Sequence, residues 1–232
     1  MTLVEHLTEL RRRVIVCVVA LAVTCTLAFF LYNQLLAILR HPFCVANPKN
    51  CHFYVTSLLG GLSLRVKLAG FGGLLLALPV VLWEFWRFVT PGLKANERRY
   101  AIPFVLATIT LFLAGCLLAY YSYEHAIVFL IGIGGPSLRL IADPNQYLSL
   151  LLLLMAMYGI AFIFPVLLVS LELAGVVSSA QLLRWWRPAV LLITILAAVF
   201  TPTGDPLSML LLMIPLCVFY FAAIGVGKLF RK

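Results

Sequence analysis

Six uncharged apolar runs occupy more than half of the 232 residues: Val14 to Leu39, Leu68 to Trp83, Tyr100 to Tyr123, Tyr147 to Leu171, Pro188 to Phe200 and Pro206 to Val226. A lipid hydrocarbon core is about 30 Å thick, and a helix needs roughly 20 apolar residues to cross it. Inside lipid the backbone has no water to bond to, so only a helix or a closed barrel satisfies it. Runs of this length predict helices. The expected fold class is an all-α polytopic membrane protein of six transmembrane helices. Once interfacial residues are added, the spans fall at about 14–39, 66–88, 100–123, 147–173, 186–201 and 206–226, in a single membrane domain over 1–232. Only 11% of the residues are charged, against about a quarter in soluble domains, which leaves no room for a soluble domain beside the spans.

Lysines and arginines orient the spans, because cytoplasmic loops hold the excess. Arg11, Arg12, Arg13, Arg87, Lys94, Arg98, Arg99, Arg184, Arg187, Lys228, Arg231 and Lys232 fall on one side, and Arg40, Lys49, Arg65, Lys67 and Arg139 on the other, 12 against 5. Both termini are therefore expected in the cytoplasm, with residues 40–66, 124–146 and 201–206 outside. The formal charge of +9 is accounted for by this flanking pattern, and nucleic acid is not an expected partner. The first run is too long for the 7–15-residue core of a cleaved signal peptide and no A-x-A site follows it, so it reads as a retained span. Cys17, Cys25, Cys116 and Cys217 stand singly in apolar runs, where a thiol behaves as a small hydrophobe, and no metal or other cofactor is expected.

Three local features refine the picture. Thr2 and Glu5 form a capping box, and Leu3, Leu7, Leu10 and Val14 share one face, which predicts a short amphipathic helix on the membrane surface ahead of the first span. Ala126 to Leu138 is apolar but short and carries Gly132, Gly134, Gly135 and Pro136, so it is expected as interfacial or loop structure and not a seventh span. The last two spans are expected to be short; Pro188 to Phe200 rises only about 20 Å at 1.5 Å per residue. Extension through Trp185, Trp186 and Thr201 and local thinning of the bilayer are both open.

The segment His6-Leu-Thr-Glu-Leu-Arg-Arg-Arg resembles the H-L-x-E-L-R-x-R opening of the TatC family of twin-arginine translocase proteins. Leu78-Pro-Val-Val-Leu-Trp-Glu-Phe-Trp-Arg-Phe-Val-Thr-Pro-Gly-Leu-Lys-Ala-Asn-Glu-Arg-Arg, Leu111-Phe-Leu-Ala-Gly, Tyr147-Leu-Ser, Arg187-Pro and Thr201-Pro-Thr-Gly-Asp-Pro follow in the family's order. The resemblance implies a concave, glove-like six-helix bundle in a bacterial inner membrane. The resemblance further implies the role of a non-enzymatic core and receptor subunit, which would bind twin-arginine signal peptides of folded precursors at the cytoplasmic face. It also implies recruitment of small single-span TatA/TatB-type subunits, self-association in the complex, and export driven by the proton-motive force. A secondary transporter or channel for a small solute is the alternative, but it needs polar residues near the bilayer midplane, and the spans are almost bare of them.

By resemblance Glu9 and Glu97 match the family's signal-peptide contacts and are the expected acids of the peptide site; carboxylates pair with planar guanidinium groups through parallel charge-assisted hydrogen bonds. By resemblance Phe88, Pro91 and Gly92 belong to the same recognition loop. Arg98, in the same loop, reads most simply as a topology anchor, and is also a candidate to repel a signal peptide's arginines from every position except the acids. Position alone reads more simply as Glu9 paired with Arg13 at i,i+4 and Glu97 in the first turn of the third helix. The family's polar residue two positions before the fourth-helix proline is Ile163 here. Glu172, nine residues on, faces the opposite side of an ideal helix roughly 13 Å further along and reads either as an interfacial side chain reaching for water or as a partner contact. Asp205 before Pro206 reads as a helix cap, with a role at the outer face implied by the resemblance. Cys44 and Cys51 flank a turn-rich loop on the oxidising side and are a candidate disulfide.

Overall fold

The computed structural model describes residues 3–46, 53–55, 57–89, 101–134, 143–173, 175–201 and 206–230. Among them every regular element is an α-helix: α1 (Leu3–Phe30), α2 (Tyr32–Ala46), α3 (Gly60–Val89), α4 (Ala101–Gly134), α5 (Pro144–Leu173), α6 (Ser179–Arg184), α7 (Trp186–Phe200) and α8 (Pro206–Phe230). Five of them, α1, α3, α4, α5 and α8, contain stretches long and apolar enough to cross a membrane, and α7 is a shorter apolar helix of 15 residues. Five long helices and one short one reproduce the expected all-α class.

Helix ends differ from expectation in four places. The amphipathic N-terminal segment is not a separate surface helix: α1 is continuous over 28 residues, because Leu10 to Val14 holds no helix breaker and arginine is a good helix former. Thr2 of the expected capping box lies outside the described residues. The first span-length stretch accordingly runs Thr8–Phe30, and a turn at Leu31 leads into α2, with Leu31 N–H bonded to Leu27 O at 3.2 Å and Leu35 N–H to Leu31 O at 3.1 Å.

The second difference is at Ala126, where the expected loop is instead the continuation of α4 as far as Gly134. Nothing from Tyr123 to Ile131 breaks a helix, Ala126 and Ile127 are buried, and His125 Nδ1 lies 3.0 Å from the Tyr121 carbonyl one turn back. Glu124 and His125 therefore sit within α4 and not beyond a span. Third, the last span is not short: α8 has 25 residues, about 37 Å of helix, and only α7 is short, with Trp185 and Thr201 as its flanking caps.

The fourth difference is an extra helix. α5 ends in a Schellman turn, where Gly175 takes φ 73° and Gly175 and Val176 donate to the Glu172 and Leu171 carbonyls, each at 3.1 Å. Ser178 and Gln181 then form a reciprocal capping box for α6.

The chain divides into two compact units. The first comprises residues 1–41, 54–109 and 143–145. In it α1 runs against α3 along a glycine seam, and a Cβ added at Gly73 would lie 2.6 Å from Cys25 Cα. Helices pack this closely in membranes only through such small residues. Leu64, Leu68, Ala77, Leu82 and Trp86 of α3 are buried. Trp86 stacks on Phe104 at 5.1 Å and donates its indole N–H to Thr108 Oγ1 at 3.3 Å. At the other end of the seam the Arg65 guanidinium lies 4.9 Å above the Phe29 ring and 5.0 Å above Tyr32, a cation–π clasp beside the α1–α2 turn.

The second unit comprises residues 42–53, 110–142 and 146–232. Its core holds Phe112, Cys116, Tyr123, Leu148, Leu151, Tyr158, Leu212 and Tyr220. Two buried hydroxyls tie α5 and α8 to neighbouring backbone: Tyr158 donates to Ser208 O at 2.6 Å and Tyr220 to Leu182 O at 2.8 Å. Phe43, Phe53, Tyr123 and Tyr147 form a ring cluster with centroid spacings of 4.9 to 5.4 Å.

Candidate functional site

Acids and arginines meet where the N-terminal turns of α1 face the last turns of α3. Glu9 and Arg13 stand one helical turn apart, so they share a face. Arg13 Nε donates to Glu9 Oε1 at 3.1 Å, and its Nη2 binds the same oxygen. From the opposing helix Glu84 Oε2 accepts from Arg13 Nη1 at 3.1 Å. One guanidinium thus holds two carboxylates on two helices. The three side chains are only partly accessible, 14% for Arg13, 26% for Glu9 and 15% for Glu84, so their fields are less screened than at an open surface.

Glu84 was not among the residues singled out from sequence. Its signal was present, since an acid flanked by Trp83 and Phe85 inside an apolar helix is a functional candidate by default. The uncharged run ends at Trp83, which makes Glu84 look like a boundary residue, whereas α3 continues to Val89. Trp86, anchored on Phe104 and Thr108, holds this last part of α3 and with it the position of Glu84.

Of the other expected residues, Phe88 lies in the last turn of α3, while its side chain and Pro91, Gly92, Glu97 and Arg98 lie outside the described residues, as does Asp205. Ile163 lies in α5 and is partly exposed. Glu172 is not an interfacial side chain reaching for water: it is 2% exposed, and neither carboxyl oxygen has a hydrogen-bond partner among the described residues. It is seated on Gly227 of α8, where an added Cβ would come within 2.6 Å of Oε1. The absence of a side chain at 227 is what makes room for the carboxyl. Cys44 is disulfide-bonded; Cys51, its expected partner, lies outside the described residues.

A sequence model of the family described as "Sec-independent protein translocase protein (TatC)" matches residues 5–215. Proteins named Sec-independent protein translocase protein TatC are similar along nearly the whole chain. That of Xylanimonas cellulosilytica is 38% identical over 98% of this chain and 83% of its own length. The Deinococcus radiodurans protein is 36% identical over 99% and 86%. The Frankia casuarinae protein is 34% identical over 99% of this chain, which spans 66% of that longer relative. Two crystal structures described as the twin-arginine translocase receptor TatC, one of them in DDM, are each 32% identical, with TM-scores of 0.81 and 0.82 over 98% and 96% of this chain and 100% and 99% of theirs. Sequence match and fold agree from the acid of the first helix to the last span, and the chain belongs to the TatC family of Sec-independent protein translocase proteins.

Proposed function

We propose that this multi-pass membrane protein is the receptor and core subunit of a twin-arginine translocase, taking the paired arginines of a folded precursor's signal peptide at Glu9 and Glu97. The observation that carries the reading is the Arg13 cluster: Glu9 and Glu84 already enclose a guanidinium at hydrogen-bonding distance in a partly desolvated setting. That is the chemistry a peptide arginine requires. Recruitment of small single-span TatA/TatB-type subunits, self-association and coupling to the proton-motive force belong to the same proposal and follow from family membership.

The test is binding of a purified twin-arginine signal peptide to the full chain in detergent. Glu9→Ala and Glu97→Ala are each expected to weaken binding by about 2 to 5 kcal/mol, the cost of truncating one partner of a partly desolvated charge pair, exposed pairs losing much less. A Lys-Lys peptide is expected to bind weakly to all forms. Unchanged affinity of the double variant at low ionic strength removes both acids from the site.

The inner membrane of a bacterium is the proposed location, as six spans in one domain with both termini in the cytoplasm. The 12-to-5 distribution of basic residues and the disulfide at Cys44, a bond favoured on the oxidising side, support that orientation. Cysteines introduced at 49 and 94 are expected to react with an impermeant thiol reagent from outside only at 49. Labelling at 94 alone reverses the topology.

A further inference from the structure

The fork of Arg13 occupies the carboxylate that the proposed function assigns to an incoming arginine. Its Nε and Nη2 both lie on Glu9 Oε1, so one oxygen of the carboxylate that a peptide guanidinium would need for a two-oxygen fork is already taken. A signal peptide must therefore take Glu9 from a resident guanidinium or share it. Arg13 need not leave the cluster when it yields Glu9, because its third nitrogen is already bonded to Glu84 on α3. The seam between α1 and α3, with Gly73 against the Cys25 backbone, holds the two helices and hence the two acids at fixed separation.

We infer that Arg13 is a built-in competitor for the signal-peptide arginine at Glu9, and that Glu84 is the acceptor that keeps Arg13 when the peptide displaces it. The inference rests on the proposed function, in which Glu9 receives the peptide. Arg13 then sets a threshold for binding. A ligand with one adventitious cation gains little by exchanging with it, whereas a planar guanidinium that reproduces the fork exchanges on equal terms. Glu84 lowers that threshold, because with it the displaced Arg13 retains a charge-assisted bond in place of being left unpaired in a partly buried site. It is a positioning residue, acting on the peptide only through Arg13.

The three residues make opposite predictions from those of a simple structural bridge. Peptide affinity of the full chain in detergent at low ionic strength is expected to rise about five- to tenfold in Arg13→Gln, where the competitor is gone, and to fall by a similar factor in Glu84→Gln, where Arg13 has only Glu9 left. In the double variant Arg13→Gln/Glu84→Gln the loss caused by Glu84→Gln is expected to disappear. Arg13→Lys keeps the cation but replaces the fork with a point charge, so it should bind peptide more tightly than the unaltered protein, and it carries the test if Arg13→Gln does not fold. Weaker or equal binding in Arg13→Lys overturns the inference. So does a Glu84→Gln effect that persists when Arg13 is absent. Failure of the underlying reading looks different, since Glu9→Ala would then leave affinity unchanged in every background.

Discussion

Gly73→Leu is expected to force α1 away from α3 and to lower the stability of the folded protein in detergent by about 3 kcal/mol or more, at the upper end of what overpacking costs. An added Cβ at 73 meets main chain, lying 2.6 Å from Cys25 Cα and 2.7 Å from Cys25 N. A flexible side chain could rotate aside, but backbone of a helix can only move as a body. Lipid tails are as apolar as leucine, so the helix pair has little hydrophobic drive to compensate and relies on close packing. The displacement would also carry Arg13 away from Glu84, so peptide binding should change with stability. Gly70, on the same helix, supplies the comparison: apart from its own helix backbone and chain neighbours, no heavy atom of the described residues lies within 4 Å of an added Cβ. Gly70→Ala should be neutral or should gain up to about 1 kcal/mol of helix propensity. Thermal unfolding of both variants in one detergent decides the matter, and equal midpoints would remove the seam as the element joining α1 to α3.

Replacing Glu172 by methionine should have the opposite sign, raising stability by about 1–3 kcal/mol, the cost of a buried unsatisfied polar group. The carboxyl is shut away from solvent with neither oxygen hydrogen-bonded among the described residues. In either protonation state it has given up its hydration without a partner in exchange. It also lies in the last turn of α5, where the unpaired carbonyls place the negative end of the helix dipole. Methionine is flexible and of similar length, so it can follow the same path beside Gly227. For a chain of this size each kcal/mol corresponds to about 2–4 °C in unfolding temperature, which makes the gain easy to resolve. Gly227→Ala should act the other way, because the Glu172 carboxyl already fills the space that the new methyl group needs. A lower midpoint in Glu172→Met would sink this account.

Much of the architecture was legible in the chain. Long uncharged runs must be helices in lipid, because no other open structure closes the backbone's hydrogen bonds there. The order of the long apolar helices and the shortness of α7 followed from that requirement. The pairing of Glu9 with Arg13 was legible too, as the reading of Glu9 that their four-residue spacing allowed beside the peptide contact implied by the resemblance. Helix ends were less legible. The glycines at 132 and 134 suggested a loop, yet they lie within α4, because breakers act through their neighbours and the stretch before them is strongly helical. Likewise the basic cluster at Arg11 to Arg13 looked like a boundary between a surface helix and a span, although arginine propagates a helix as readily as leucine.

By itself the sequence determined the helical class, the order of the long apolar helices, the membership in its family and the spacing that lets Glu9 meet Arg13. Only the tertiary structure decided which faces of those helices meet. In a soluble protein an apolar stripe marks the buried face, but in a bilayer lipid and protein interior are equally apolar and the stripe carries no such information. Glu84 therefore became part of the site only when α1 and α3 closed along Gly73 and brought it to Arg13. Glu172, nine residues from Ile163, became a buried carboxyl only because α8 presents a glycine there. Both outcomes depend on contacts between residues far apart in the chain, which spacing and composition cannot encode.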